Sequence, residues 1–290
     1  MPTINIVRVV LWMAGTLLSF SVIAVSIREL ASNGFNLFDI FLVRSVGSLI
    51  LLSPLFLFRP KFREHARPRR MPLNFARNII HFASQYCWAL GLTMLPLAMV
   101  FSLEFTMPAW TALLAAWILH ERLTPSRIGV IVFGIVGVLV ILRPGIAAIN
   151  PGVFLVLLAA FGYAITMIMT KQLTNSETTF GIIFWMAIIQ LPISLVGSNP
   201  AMFIELKPVH ILPMLGIAIA GTGSHFCLSN AFRAGDATLV VPIDFLRIPL
   251  IAIVGWALYD ESVDIFVFLG ALIIISGVLW NLRAETARKT

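Results

Sequence analysis

Apolar residues run almost without interruption for stretches of about 20 residues, the length that crosses the hydrocarbon core of a bilayer as a helix. Short polar, proline or glycine breaks separate one stretch from the next. Ten spans are predicted, near 9–28, 36–58, 73–95, 97–119, 127–143, 152–171, 179–197, 211–232, 237–258 and 264–282. Arg8 precedes the first in the manner of a signal peptide, but the run is too long and nine more follow, so it reads as an uncleaved first helix. The expected fold class is an all-α integral membrane protein with ten transmembrane helices.

Composition agrees with the pattern. Hydrophobic residues make up 59% of the 290-residue chain and charged residues 11%, where a soluble domain has about 25% charge. Such a chain has too little polar surface to cover a water-soluble body. The two cysteines both lie in apolar runs, which excludes a disulfide-stapled extracellular fold. The net charge of +7 is explained by where lysine and arginine fall. Six are in the 59–72 loop, and with nine others, Arg77 among them, they place 15 on one side of the membrane against three on the other. The side richer in lysine and arginine is the cytoplasmic one, so both termini are expected there. No loop is long enough to fold a basic surface for nucleic acid, and the 59–72 loop is expected to meet anionic lipid headgroups.

Sliding the chain on itself by 140 residues aligns 84–143 with 224–283 without a gap, with 12 of 60 positions identical. The polar and special matches carry most weight: Ser84 with Ser224, Cys87 with Cys227, Glu121 with Glu261, Gly137 with Gly277 and Arg143 with Arg283, with Glu104 and Asp244 a conservative pair. This divides the chain into 1–146 and 147–290. Each unit holds five helices, and because five is odd the second copy enters the membrane from the opposite side. The result is two inverted five-helix repeats, an arrangement that places a site near the midplane in many secondary transporters.

The stretch Glu121-Arg122-Leu123-Thr124, followed by Gly129 through Gly137 to Arg143-Pro144-Gly145, is echoed by Asp260-Glu261 and Gly270 through Gly277 to Leu282. On these segments the chain resembles the drug/metabolite transporter superfamily in its ten-helix form built from two EamA-type domains. Leu95-Pro96-Leu97-Ala98, with Glu104-Phe105-Thr106-Met107-Pro108, is most similar to bacterial members that carry S-adenosylmethionine, riboflavin or amino acids. The resemblance implies a multi-pass protein of the bacterial inner membrane whose partner is a small metabolite, with protons as a candidate coupling ion and no cofactor. A homodimer is one assembly left open. Helix 9 has Arg247 and Pro249 where helix 4 has Met107 and Ala109, so the site need not be symmetric.

Ionisable side chains inside a span are costly unless they face a cavity or a partner. Glu104 and Asp244 each lie about 10 to 12 Å from one end of their spans and flank the midplane from opposite sides. They are candidates for binding a cationic group or carrying a proton. For Asp244 a structural ion pair with Arg247, three residues away, is the equal alternative. Asn78, His81, Gln85 and Trp88 fall on one face of helix 3, suited either to a heteroatom-rich metabolite or to hydrogen bonding between helices. Gln85 aligns with His225, a candidate proton relay, or a packing residue. Arg44 is a candidate for holding a carboxylate or phosphate, with pairing to Asp39 or Glu104 the favoured reading. Glu121 and Glu261 are expected to cap helices, and Pro108, Pro242 and Pro249 to kink those carrying Glu104 and Asp244.

The chain has no phosphate-cradling GxxxxGK[ST] loop, so active transport here is expected to be secondary. Two alternatives stand beside a carrier. One is an intramembrane, Mg²⁺-dependent lipid- or prenyl-modifying enzyme using Asp260, Glu261 and Asp264; the other is a passive channel. Ser224 and His225 are adjacent on a helix and point about 100° apart, so they do not make a nucleophile and base.

Overall fold

A computed structural model describes residues 6–118, 124–143, 150–204, 206–234, 237–262 and 264–287. Among these residues the chain is helical, with no strand. The first half comprises α1 (Ile6–Ser32), α2 (Leu37–Phe58), α3 (Pro60–His65), α4 (Met71–Met94), α5 (Leu97–Glu104), α6 (Met107–Ile118) and α7 (Pro125–Leu142). The second comprises α8 (Gly152–Leu173), α9 (Thr179–Gly197), α10 (Pro208–Ala234), α11 (Ala237–Asp244), α12 (Arg247–Tyr259) and α13 (Ile265–Ala287), with one 3₁₀ turn at Pro200–Phe203. Among the described residues nine stretches are long and apolar enough to cross a membrane. The remaining span, α4, has the length at 24 residues but carries buried Asn74, Arg77, Asn78, His81 and Gln85, which lower its hydropathy.

The fourth and ninth spans are broken. α5 gives way to α6 after Glu104, and α11 to α12 after Asp244, the same 140 residues apart. The chain turns at each break through short three-residue steps, Thr106 N–H to the Leu103 carbonyl (3.1 Å) and Leu246 N–H to that of Ile243 (3.0 Å). The prolines explain the positions. Pro108 has no N–H to return to the Glu104 carbonyl four residues back, and ahead of Pro249 the Phe245 carbonyl is taken by Ile248 N–H only three residues on, at 3.2 Å, so regular helix stops there.

Packing repeats when the halves are exchanged. α1 lies on α10 and α4 on α8, while α2 meets α9 and α7 meets α13. Gly15 faces Cys227 and Gly216 faces Ser26, so α1 and α10 run antiparallel; Gly91 against Val156 and Gly162 against Ser84 show the same for α4 and α8. Since the first and third helices of a five-helix unit point the same way, antiparallel pairing of a first with a third helix means that the halves have opposite orientation. In lipid no hydrophobic drive brings helices together, so close packing at small residues and hydrogen bonds between helices do so. A Cβ on Gly137 would come within 2.7 Å of the Gly270 carbonyl, and one on Gly270 within 2.5 Å of that of Gly137. The small-residue contact is therefore inside the chain, between α7 and α13.

Loops at the two faces are tied across the halves. On the face carrying the chain ends, the 59–72 segment is more than a loop: it forms α3, and Ala66 accepts a bond from Trp185 Nε1 at 2.7 Å. Glu177 accepts from the backbone of Arg69 and Arg70 and from Asn74 Nδ2 at 2.6 Å, capping α4 from the other half. On the opposite face Asn36 and Asp39 form a capping box on α2, and Asp39 also accepts from Asn199 N–H at 2.7 Å.

Candidate functional site

The breaks in α5–α6 and α11–α12 face one another in the middle of the bundle and deliver Glu104 and Asp244 to the same cation. Arg247, the first residue of α12, donates through Nη2 to both Asp244 oxygens at 2.6 and 2.7 Å and through Nη1 to Glu104 Oε1 at 3.3 Å. Trp88 Nε1 donates to the other Glu104 oxygen at 2.8 Å, while its ring packs edge-on against Phe101. The Arg247 guanidinium sits 3.9 Å over the Phe20 ring, a stacked position that excludes water from its back. Two carboxylates thus share one guanidinium.

This cluster lines a cavity of about 420 Å³, a size suited to a small organic ligand. The eight residues singled out from sequence, Arg44, His81, Gln85, Trp88, Glu104, His225, Asp244 and Arg247, all lie on its wall. α4 supplies His81, Gln85 and Trp88 on successive turns; its Asn78 lies deeper, fully buried behind them. Arg77, Tyr163, Thr166, Thr170, Ser224, Phe20 and Phe105 complete much of the lining.

Several expectations are corrected. Arg44 pairs with neither Asp39 nor Glu104; its Nη2 donates to Gln190 Oε1 at 2.5 Å, because Asp39 is spent on the α2 cap and Glu104 on Trp88 and Arg247. Glu104, with no partner on its own helix, finds Arg247 in the other half. Arg77 is not a loop charge. It lies inside α4, 7% exposed, with Nε on Thr170 Oγ1 (3.2 Å) and Nη1 on Asn78 Oδ1 (2.8 Å). Its place one turn before His81 on the polar face of α4 was the available signal. Gln190 on α9, unremarked in the sequence, binds Arg44 and also approaches His81 Nδ1 at 3.0 Å, linking the two arginines into one buried network.

Two acids of the 260–264 segment, Glu261 and Asp264, are engaged in other ways. Glu261 pairs with Arg28 and accepts from Leu97 N–H at 2.8 Å, so it caps α5 across the halves and not the helix that follows it. Asp264 accepts from Arg143 at 2.6 Å. Glu121 lies outside the described residues. Arg28 further donates to the Leu92 and Leu95 carbonyls at 2.6 to 2.9 Å. Beneath this latch Ile27, Leu92, Leu97, Val100, Phe101, Leu103 and Ile251 are fully buried and close the cavity on that side. Toward the face of the chain ends, a second cavity of about 160 Å³ shares Arg77, Thr170 and His225 with the first and reaches Thr174 and Thr179 at the ends of α8 and α9.

Known proteins place this architecture. The EamA-like transporter family matches residues 7–143 and again 150–283. An S-adenosylmethionine uptake transporter of Rickettsia prowazekii is 28% identical over 250 residues, covering 86% of this chain and 83% of the relative. A riboflavin transporter of Brucella anthropi is 29% identical over 246 residues (83% and 86%), and one of Vibrio cholerae 22% over 281 residues (96% and 94%). A solved crystal structure superposes with a TM-score of 0.63 at 14% identity, covering 97% of this chain and 99% of that one, and so shares the fold. With both halves matched over nearly the whole chain, the protein belongs to the EamA-like transporter family.

Proposed function

We propose that the protein is a secondary transporter that moves a small organic metabolite across the bacterial inner membrane by alternating access, with the central cavity as its binding site. The observation that carries this reading is the meeting of Glu104 and Asp244, from equivalent helix breaks in oppositely oriented halves, on the single guanidinium of Arg247. The pair leaves one negative charge in excess, which a cationic group of the substrate or a proton neutralises; exchange of the two couples their movements. Discontinuous helices with a site between inverted repeats are the parts from which alternating access is built.

The unequal closure of the two sides supports the same reading. One side is packed and latched by Arg28 and Glu261, whereas a second cavity leads from the site toward the face of the chain ends. With the termini in the cytoplasm, this is the inward-facing state. Opening outward requires the Arg28–Glu261 latch to part and α8, α9 and α10 to close around the second cavity. The relatives transport S-adenosylmethionine and riboflavin, so these compounds and amino acids form the first panel.

The test is counterflow in proteoliposomes, with and without an imposed pH gradient. Saturable uptake driven by unlabelled compound inside, lost in Glu104→Gln and Asp244→Asn at unchanged membrane insertion, is the expected result. Wild-type rates in both variants refute the site, and uptake that does not saturate refutes a carrier in favour of a channel.

A further inference from the structure

Each described arginine in the Glu104 cluster or the latch has a carboxylate partner: Arg28 has Glu261, and Arg247 has Asp244 and Glu104. Arg44 and Arg77 do not. Among the described residues they bond only neutral acceptors, Arg44 that of Gln190 and Arg77 those of Asn78 and Thr170, although they are only 6% and 7% exposed. A guanidinium has five donors, of which Arg44 uses one and Arg77 two. Both side chains line the central cavity. The network Arg44–Gln190–His81 and Gln190–Asn78–Arg77 ties them to one end of it.

Two further features mark a built site. A Cβ on Gly221 would fall 2.8 Å from Cγ of Arg44, so α10 is glycine where the arginine stem must pass. Gln85, 6% exposed and one turn beyond His81, holds on the cavity wall a buried Oε1 with no hydrogen-bond partner among the described residues. Buried acceptors of this kind are rare in finished interiors and call for a donor. At the other end of the cavity lies the carboxylate excess of Glu104 and Asp244.

We infer that the transported compound is dipolar, with a carboxylate that lodges at Arg44 and Arg77 and a cationic or N–H-bearing part that lies toward Gln85, Glu104 and Asp244. Arg44 and Arg77 bring positive charge to one end of the cavity, and the Glu104–Asp244–Arg247 cluster leaves one negative charge in excess at the other, so each end of a dipolar ligand meets the opposite sign. Arginine forks match carboxylates in two-bond geometry. The inference rests on the proposed role of this cavity as the transport site, and it separates zwitterions such as α-amino acids and S-adenosylmethionine from neutral compounds such as riboflavin.

The experiment uses the purified full chain and matched pairs of probes: S-adenosylmethionine with decarboxylated S-adenosylmethionine, lysine with cadaverine, and glutamine with 4-aminobutanamide, with riboflavin as the neutral member. Ligand-induced thermal shifts and counterflow are read for the wild type, Arg44→Gln, Arg77→Gln and Arg77→Lys. At least one carboxylate-bearing probe is expected to bind, and its partner lacking the carboxylate to bind about ten- to hundredfold less well, the range for a charge-assisted bond. Either glutamine variant should erase that difference, leaving the decarboxylated partner within about threefold, while Arg77→Lys keeps an intermediate preference. The ligand-free glutamine variants should melt no lower than the wild type, since an uncompensated buried charge has been removed; a purely structural pair of arginines would instead lower the melting temperature and weaken all probes alike. Binding confined to riboflavin or to the decarboxylated amines overturns the inference and leaves the carrier intact, and failure of every carboxylate-bearing probe to bind overturns it as well. Absence of counterflow by any compound, including those that bind, would count against the carrier reading itself.

Discussion

Replacing Arg247 by methionine gives the second half the residue that the first half carries at the equivalent position, Met107. It also strips both carboxylates of their shared cation. Arg247 has a side chain 5% exposed and its two partners are 20% exposed, so the cluster is largely dry. Two unit charges about 4 Å apart attract by ~4 kcal/mol at an effective dielectric near 20, and removing one member of a buried pair costs about 3–5 kcal/mol. Because a carboxylate left alone can take up a proton, we expect the lower end of that range, about 3 kcal/mol. The partition between partners follows from geometry. Asp244 receives two bonds at 2.6 and 2.7 Å, whereas Glu104 receives one at 3.3 Å and keeps Trp88 when the arginine is lost. A double-mutant cycle should therefore give a coupling of about 2 kcal/mol or more for Arg247 with Asp244 and roughly half that for Arg247 with Glu104. The assay is reversible unfolding in mixed detergent micelles, followed through the seven tryptophans, for Arg247→Met, Asp244→Asn, Glu104→Gln and the two pairs. An Arg247→Met protein as stable as the wild type, or a larger coupling to Glu104 than to Asp244, would refute the shared-cation account.

Three further outcomes are expected. Trp88→Phe keeps the packing on Phe101 but deletes the 2.8 Å bond to Glu104; transport should fall about tenfold, the lower end for a bond to a charged group, with expression unchanged. Glu261→Gln weakens the Arg28 latch, and in a background lacking Cys87 and Cys227 a cysteine at Ala98 should react several-fold faster with an impermeant maleimide added on the side opposite the termini; an unchanged rate would mean that the latch does not hold that side shut. Gly137→Val drives a side chain into Ile274 and the Gly270 carbonyl, at 2.4 and 2.7 Å from its Cβ, so the melting temperature should drop by the equivalent of about 1–3 kcal/mol, with no drop refuting close contact of α7 and α13.

The spans were legible because hydrophobic length alone decides them, and the broken helices were foreshadowed by Pro108 and Pro249. What periodicity could not give was the fate of each buried charge. Arg77 sits only six residues into α4, where a count of loop charges absorbs it, and its burial depends on Asn78 and Thr170 being there to receive it. Arg44 has acids within reach in sequence terms, yet both are already bonded, and the side chain that meets it, Gln190, belongs to the other half of the chain. Such partners are set by which helices cross, a property of the packed bundle and not of any one segment. Glu261 illustrates the same limit: its capping role was readable, but the helix it caps, α5, lies 164 residues away.

The departures from internal symmetry concentrate at the site. The breaks after Glu104 and Asp244 are equivalent in position, and helices pack in pairs that exchange with the halves. Yet one break is followed by methionine and the other by arginine, and the third helix of one half carries Arg77, His81 and Gln85 where the other has Ile217, Gly221 and His225. Gly221 is the space through which Arg44 passes, so the absence of a side chain in one repeat makes room for a charge from the other. For the proposed carrier, a symmetric frame would let outward- and inward-facing states be near in energy, since each half could adopt the other's shape. Under the inference drawn above, asymmetric side chains would then give the substrate one orientation, with its negative end at Arg44 and Arg77 and its positive end at Glu104. On this account an exchange such as Met107→Arg combined with Arg247→Met should restore stability lost in the single variant, because the carboxylates regain a cation, while transport stays impaired because the ligand's polarity no longer matches the wall. Recovery of full transport in that double variant would show that orientation is set elsewhere in the cavity.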